Sequence, residues 1–326
     1  MIQQLLRFTL FSQCIFLCFA CSAKKASQDT VKTAYIHKYG VEVPDQADFS
    51  NRGGTGEVVK NLKNGVVVRE TYLEGKLQGV TTQTFPHSQI VERQACFQDG
   101  QLVEETFHYV TGVPKQKNCY HENKLCQSFH WYEDSAPHAV EAFKEGYLIE
   151  AKYYTLNQEL ESQVTNGSGV RMVRNGLGEL VAKEILQLGA LVEKISYHPN
   201  GSPLAVTPYV NGKIQGMKKI FHPGGEPKRV EEWKEGALDG FAFEYLNGER
   251  QAQIPYKKGV KEGVELRFKE GSNVVVEEIS WVANRKQGPS VTFVEEEKVV
   301  EWYFAGEKVS KTQYVEKNSP SYLTKD

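Results

Sequence analysis

Tyr245-Leu246-Asn247-Gly248-Glu249-Arg250-Gln251-Ala252-Gln253-Ile254-Pro255-Tyr256, with the Lys257-Lys258-Gly259-Val260-Lys261-Glu262-Gly263 turn after it, is the unit from which the chain is built. An aromatic residue ends one extended run, and Asn247-Gly248 turns the chain. A second run returns to Tyr256, and a glycine-rich turn starts the next copy. Asn-Gly between two alternating apolar runs is a strong hairpin signal, because a two-residue turn of this kind needs positive φ at both positions.

The marker of the unit is an aromatic or apolar residue, two residues, a turn residue, three residues, then in many copies Gly. It reads Tyr209-Gly212-Gly216, Trp233-Gly236-Gly240, Tyr256-Gly259-Gly263 and Trp281-Asn284-Gly288, then Tyr303-Gly306 with Ser310 in the last place. Nearer the start stand Tyr72-Gly75-Gly79, Phe97-Gly100 and Phe143-Gly146. Degenerate copies lie at Tyr120-Asn123, Val164-Gly167 and Leu186-Gly189. Successive turn positions are 21 to 25 residues apart, a regularity that marks a repeat architecture. A second marker sits half a unit away: Tyr197-His198-Pro199-Asn200-Gly201, Phe221-His222-Pro223-Gly224-Gly225, Tyr245 to Gly248 and Phe268 to Gly271, with Phe85-Pro86-His87-Ser88 as a weaker form. Each unit therefore has two strands and two turns.

Along the strands, apolar and polar residues alternate. Phe241, Phe243 and Tyr245 share one parity; Val264, Leu266 and Phe268 do the same, with Glu265 and Arg267 opposite, and Ile279 and Trp281 follow. This predicts an all-β fold: an elongated, twisted antiparallel meander of about eleven two-stranded repeats, curled over a buried aromatic face, with the other face wet. One hairpin is marginal alone, so each unit needs its neighbours, and the end units cap the edges.

Around this array, spanning 56–314, the sequence assigns three further segments. Residues 1–20 read as an export signal: Arg7 is the only charge before Lys24, and Phe8 to Ala20 is mostly apolar but short for a membrane-spanning helix. Residues 21–55 read as a polar tether and 315–326 as a loose tail. Gly53-Gly54-Thr55-Gly56 lacks the spacing and following helix of a nucleotide loop and reads as a flexible turn. A net charge of −2 over 326 residues argues against nucleic-acid binding, which needs a basic surface.

The signal's end, Leu17-Cys18-Phe19-Ala20-Cys21-Ser22, resembles a bacterial lipoprotein signal, in which a Cys after a small residue is lipid-modified. That resemblance implies lipidation at Cys21, and Ser22 is compatible with outer-membrane sorting by the same analogy; an ordinary signal cut nearby is the alternative. The aromatic-x-x-Gly-x-x-x-Gly turn and the period of about 23 residues resemble MORN repeats, most closely the bacterial variant of the YwqK family of antitoxin-like proteins, over about 260 residues. The resemblance implies meandering hairpins, an interaction role and no catalytic residues or cofactor.

The chief chemical candidate is Cys119-Tyr120-His121-Glu122-Asn123-Lys124-Leu125-Cys126. A two-residue turn at Glu122-Asn123 sets Cys119 opposite Cys126, as a cross-strand disulfide or two free thiols, while Cys96 has no obvious partner. His121 shares their face, but His130, the next ligand type, lies roughly 13 Å farther along an extended strand, which disfavours a zinc site. His198 and His222 occupy matching turns, as expected of equivalent copies. Trp131, Trp233, Trp281 and Trp302 would form a glycan-stacking surface if exposed. Glu295-Glu296-Glu297 falls where a turn belongs. The leading functional expectation is a non-catalytic, lipid-anchored envelope protein that presents its repeats to protein partners. The alternatives are a carbohydrate-binding or adhesive module, an antitoxin-like neutraliser of a protein toxin, or an envelope enzyme.

Overall fold

The computed structural model describes Thr30 to Ser319 apart from Glu296; Cys21 and the segment expected to be an export signal lie outside the described residues. The fold is all-β, with strands over 65% of the chain and helix over 4%. The chain divides into two compact units. One runs up to Gly146 and takes in Leu156–Gln158; the other runs from Tyr147 onward without those three residues. Within each unit every long strand pairs antiparallel with the strands next to it in sequence, a meander with no crossovers.

The tight turns fall where the glycine spacing puts them. All eleven, from Glu74-Gly75 to Ala305-Gly306, hold both central residues at positive φ, between 48° and 96°. These are the mirror-image turns whose twist matches that of a hairpin. Gly75, Gly100, Gly146, Gly189, Gly212, Gly236, Gly259 and Gly306 all occupy the second position, at φ of 74° to 96°. One half-unit turn, Asn247-Gly248, at φ of 53° and 81° with Leu246 opposite Glu249, is a further mirror-image turn. Other half-unit turns have another geometry. In His198-Pro199-Asn200-Gly201-Ser202 the Gly201 N–H donates to the His198 carbonyl at 2.9 Å and the His198 N–H to the Ser202 carbonyl at 2.8 Å. A register shift follows, with Tyr197 opposite Pro203 but Ser196 opposite Ala205. This is a three-residue loop with a left-handed glycine and a bulge. The same shift recurs beside Phe107, His130, Val173, Ile220 and Arg267.

Successive tight turns are bonded to one another. The second turn residue donates its N–H to a carbonyl of the preceding unit: Gly100 to Leu77 at 2.9 Å, Gly236 to Ile214 at 2.9 Å, Gly259 to Leu238 at 2.7 Å and Gly306 to Lys286 at 2.9 Å. The first turn residue donates to a side chain of that unit. Asp99 bonds Gln78, Glu235 bonds Gln215, Ala283 bonds Glu262 and Ala305 bonds Gln287, at 2.7 to 2.9 Å. Each acceptor immediately precedes the second glycine of its marker. Two turn amides that solvent would otherwise serve are thus used to lock one repeat to the next.

From Thr30 onward, the segment expected to be a tether is part of the fold. Thr30–His37 is a strand paired with Gly56–Leu62, and helix α1, Gln46–Asn51, closes over it. Asp45 caps α1 by accepting from the Asp48 N–H at 2.8 Å. Phe49 buries its ring against Tyr35, Tyr72, Val43 and Val58. Repeats alone did not announce this N-terminal strand and helix, because the strand carries no glycine marker. At the other end, helix α2, Lys311–Lys317, reaches into the segment expected to be a tail. Ser310 and Gln313 form its capping box, and Tyr314 lies 5.0 Å from the Trp302 ring.

The expected buried aromatic face is corrected. Ala242 is fully buried and Glu265 1% exposed, whereas Phe241 is 39% and Val264 47% exposed on the opposite side. Ile279 pairs with Glu265, so it stands on the face away from Leu266. The extensive packing of each strand is with its neighbours in the sheet, so neither face has a covering layer built from other strands. Burial therefore goes to short or well-paired side chains in mid-strand, roofed by long ones beside them, while large rings stand up into solvent. Tyr132, Tyr153, Phe49 and Phe268 are exceptions; Phe268 is buried at a strand end under the Arg250 guanidinium, 4.7 Å from its ring centre.

Candidate interaction face

The face that carries the buried row also carries the aromatic residues of the glycine marker. Side chains two apart on a strand share a face, so a residue two before the marker aromatic stands beside it. In several repeats that residue is a carboxylate. Tyr72 donates its hydroxyl to Glu70 at 3.0 Å, Trp233 its indole N–H to Glu231 at 2.9 Å, and Tyr303 its hydroxyl to Glu301 at 2.8 Å. A lysine from the adjoining strand sits over three of the rings: Lys218 over Trp233 at 5.4 Å, Lys261 over Trp281 at 4.4 Å and Lys286 over Tyr303 at 4.8 Å. The result is a rung of ring, carboxylate and cation that recurs along the second unit. All four tryptophans are half-buried.

In the first unit the same face holds a row across six strands that is polar except for Ala95. Thr81, Ala95, Glu105, Asn118, Ser128 and Glu141 stand opposite one another in turn, and each is at most 8% exposed. Buried polar atoms need partners, and from Glu105 to Glu141 they find them, whereas the Thr81 hydroxyl at the row's end has none among the described residues. Glu105 accepts from Arg93 Nε at 2.9 Å, from Asn118 Nδ2 at 3.3 Å and from the Tyr120 hydroxyl. Ser128 donates to Asn118 Oδ1 at 2.8 Å and lies 2.9 Å from His130 Nε2, which is 3.4 Å from Glu141. Burial pushes the Glu105 carboxyl up, but bonds from Tyr120, Arg93 and Asn118 outweigh it and hold the group below the ordinary carboxylate range. Burial, with the same carboxylate, raises the Tyr120 hydroxyl to about 12. Glu265 in the second unit is likewise held low against its burial, by Lys261 at 2.8 Å and Arg267 at 3.1 Å.

Cys119 and Cys126 are free thiols, as is Cys96. The expected turn at Glu122-Asn123 is present and Lys124 does pair with His121, but a register shift after Leu125 sets Gln127, not Cys126, opposite Cys119. Cys126 Sγ instead donates to the Cys119 carbonyl at 3.1 Å. Burial and the nearby Glu104 carboxylate push the Cys119 thiol up, away from a reactive thiolate. His198 serves its turn, with Nε2 3.1 Å from the Phe221 carbonyl of the next repeat. Among the described residues no three His, Cys, Asp or Glu side chains are grouped to hold a metal ion. Sequence reading missed the polar row, whose only trace was a polar residue at mid-strand in successive runs.

No family model matches the chain. No curated protein matches it either. Among solved structures, the crystal structure of TcdB2-TccC3-TEV aligns with 86% of this chain and 21% of its own, at 9% identity and a TM-score of 0.17. The chain thus spans about a fifth of that protein's length.

Proposed function

We propose that the chain is a non-catalytic protein of the bacterial cell envelope, held to a membrane by a lipid on Cys21, whose repeats act as a scaffold for protein partners. The observation that supports this reading is the recurrence of one rung, a half-buried ring with its carboxylate and cation, at Trp233 and Tyr303 with a carboxylate-free version at Trp281. Two-strand units place such rungs roughly 10 Å apart. Aromatic rings flanked by charges give anchor area and orientation together, the combination that protein interfaces favour.

Crosslinking the intact envelope and capturing the full chain tests the scaffold. A partner recovered with the wild type and lost with Trp233→Ala/Trp281→Ala supports it. Recovery unchanged by that pair, or a glycan array that binds through the same tryptophans, replaces it. Labelling with a radioactive fatty acid tests the anchor: wild type takes label and Cys21→Ala does not, whereas an unlabelled wild type removes the anchor.

A further inference from the structure

On the opposite face of the second unit, one row of side chains reads almost the same from either end. From Val206 to Val291 it crosses eight strands, each step a cross-strand pair. Lys219 is second from one end and Glu278 second from the other. The remaining positions are apolar except Gln253. Among the described residues neither Lys219 nor Glu278 has an ion-pair partner in its own chain. Beside this row, Met217, Phe241 and Val264 are 41%, 39% and 47% exposed. An exposed apolar strip of this extent marks an interaction site.

We propose that this face binds a second copy of the chain. A two-fold axis between the two sheets, parallel to the strands and passing between Phe243 and Gln253, superposes the row on its own reverse. It sets Lys219 of one copy over Glu278 of the other, twice, with Val230 over Leu266 and Val206 over Val291. One further strand at each end brings Ile195 over Val300. An unrelated partner would need its own matching pattern; this row is its own complement, as an isologous contact requires. Eight strands at about 4.8 Å spacing and three side-chain rows cover about 34 Å by 15 Å, roughly 500 Å² per copy, and helix α2, whose Tyr314 rests on the Trp302 ring, bounds the strip at the Val300 end. The two copies together bury about 1,000 Å², the low end for a specific interface. Sheets packed face to face in this way lie about 10 Å apart with strands within about 30°. The face is the reverse of the one assigned to other proteins, so the dimer and the scaffold stand or fall separately.

The test uses two differently tagged full-length copies expressed together, with a carbodiimide added to intact cells. Within one chain Lys219 and Glu278 are five strands, roughly 24 Å, apart, so an amide joining them can form only between copies. That crosslink is expected by mass spectrometry. Co-capture of the two tags is expected to weaken about tenfold or more for K219E with itself and for E278K with itself, each placing like charges opposite at both contacts. K219E with E278K restores both attractive contacts, so co-capture is expected to return. Thermal melts of each variant control for folding, since both side chains project from the sheet surface. Absence of the crosslink, co-capture indifferent to the charge swaps, or failure of the mixed pair to recover would each overturn the dimer.

Discussion

Glu105→Ala removes the centre of the polar row and leaves Arg93, the Asn118 amide and the Tyr120 hydroxyl without their shared acceptor. Hydrogen bonds to a charged group contribute about 1.5 to 3 kcal/mol each, but three that share one carboxylate are not additive. Breaking a buried ion pair from one side costs about 3 to 5 kcal/mol. The Arg93 side chain is one-third exposed, which discounts its share, so about 3 kcal/mol is the working figure. For a unit of this size that is a fall of roughly 6 to 12 °C in Tm, read by calorimetry at pH 7. Glu105→Gln keeps one acceptor oxygen and is expected to lose about 1 kcal/mol. The pH dependence gives a second reading. Because the folded carboxyl is held below its ordinary value, its stabilisation is fully present above about pH 4.5 and fades as pH falls through the folded value. Wild type is therefore expected to lose its advantage over Glu105→Ala as the buffer is acidified below pH 4. A variant within 0.5 kcal/mol of wild type at pH 7, or an advantage that persists undiminished into acid, would refute the reasoning.

Gly167→Ala and Gly248→Ala both force a side chain into the left-handed region, at about 1 to 2 kcal/mol. Only at Gly167 does the added Cβ also meet backbone, 2.5 Å from the Gly189 nitrogen, so urea melts should show Gly167→Ala losing at least 2 kcal/mol more than Gly248→Ala. Phe49→Ala empties the N-terminal cluster and is expected to cost about 3 to 5 kcal/mol, seen as early loss of amide protection in residues 30–62 while the second unit keeps its own. Peptide mapping without reduction is expected to find Cys119 and Cys126 as separate thiols; a joined peptide would show that the register shift after Leu125 is wrong.

Much of this fold can be read in the residues, because the turns carry local chemistry. Glu-Gly, Asn-Gly and Asp-Gly pairs have few alternatives to a left-handed hairpin turn, and even Glu122-Asn123 and Ala283-Asn284, which lack glycine, take it. Facing is harder. Period-2 alternation says that Phe241 and Ala242 point to opposite sides, not which side is buried, and hydrophobicity chose Phe241. The choice fails because the burial of a mid-strand residue in an uncovered sheet depends on its neighbours' length. The register at the cysteines differs for a related reason: one bulge residue shifts everything beyond it, so Gln127 stands opposite Cys119, and nothing local to Leu125-Cys126 marks it. The N-terminal strand was invisible because Thr30–His37 joins the sheet without a marker of its own. The side-chain caps at Gln78, Gln215, Glu262 and Gln287 were legible but unused: each stands just before a glycine, a place where a solvated loop would tolerate any residue.

Hydrogen exchange at the tight-turn amides examines the repeat architecture most directly. Isolated hairpin turns leave these N–H groups to solvent, and they exchange within moments. Here Gly100, Gly236, Gly259 and Gly306 donate to the preceding repeat, so their amides should be protected at a spacing near 23 residues, in step with the strands around them. Turn glycines exchanging at the rate of an unstructured chain, beside strands that stay protected, would contradict the interlocking of successive repeats.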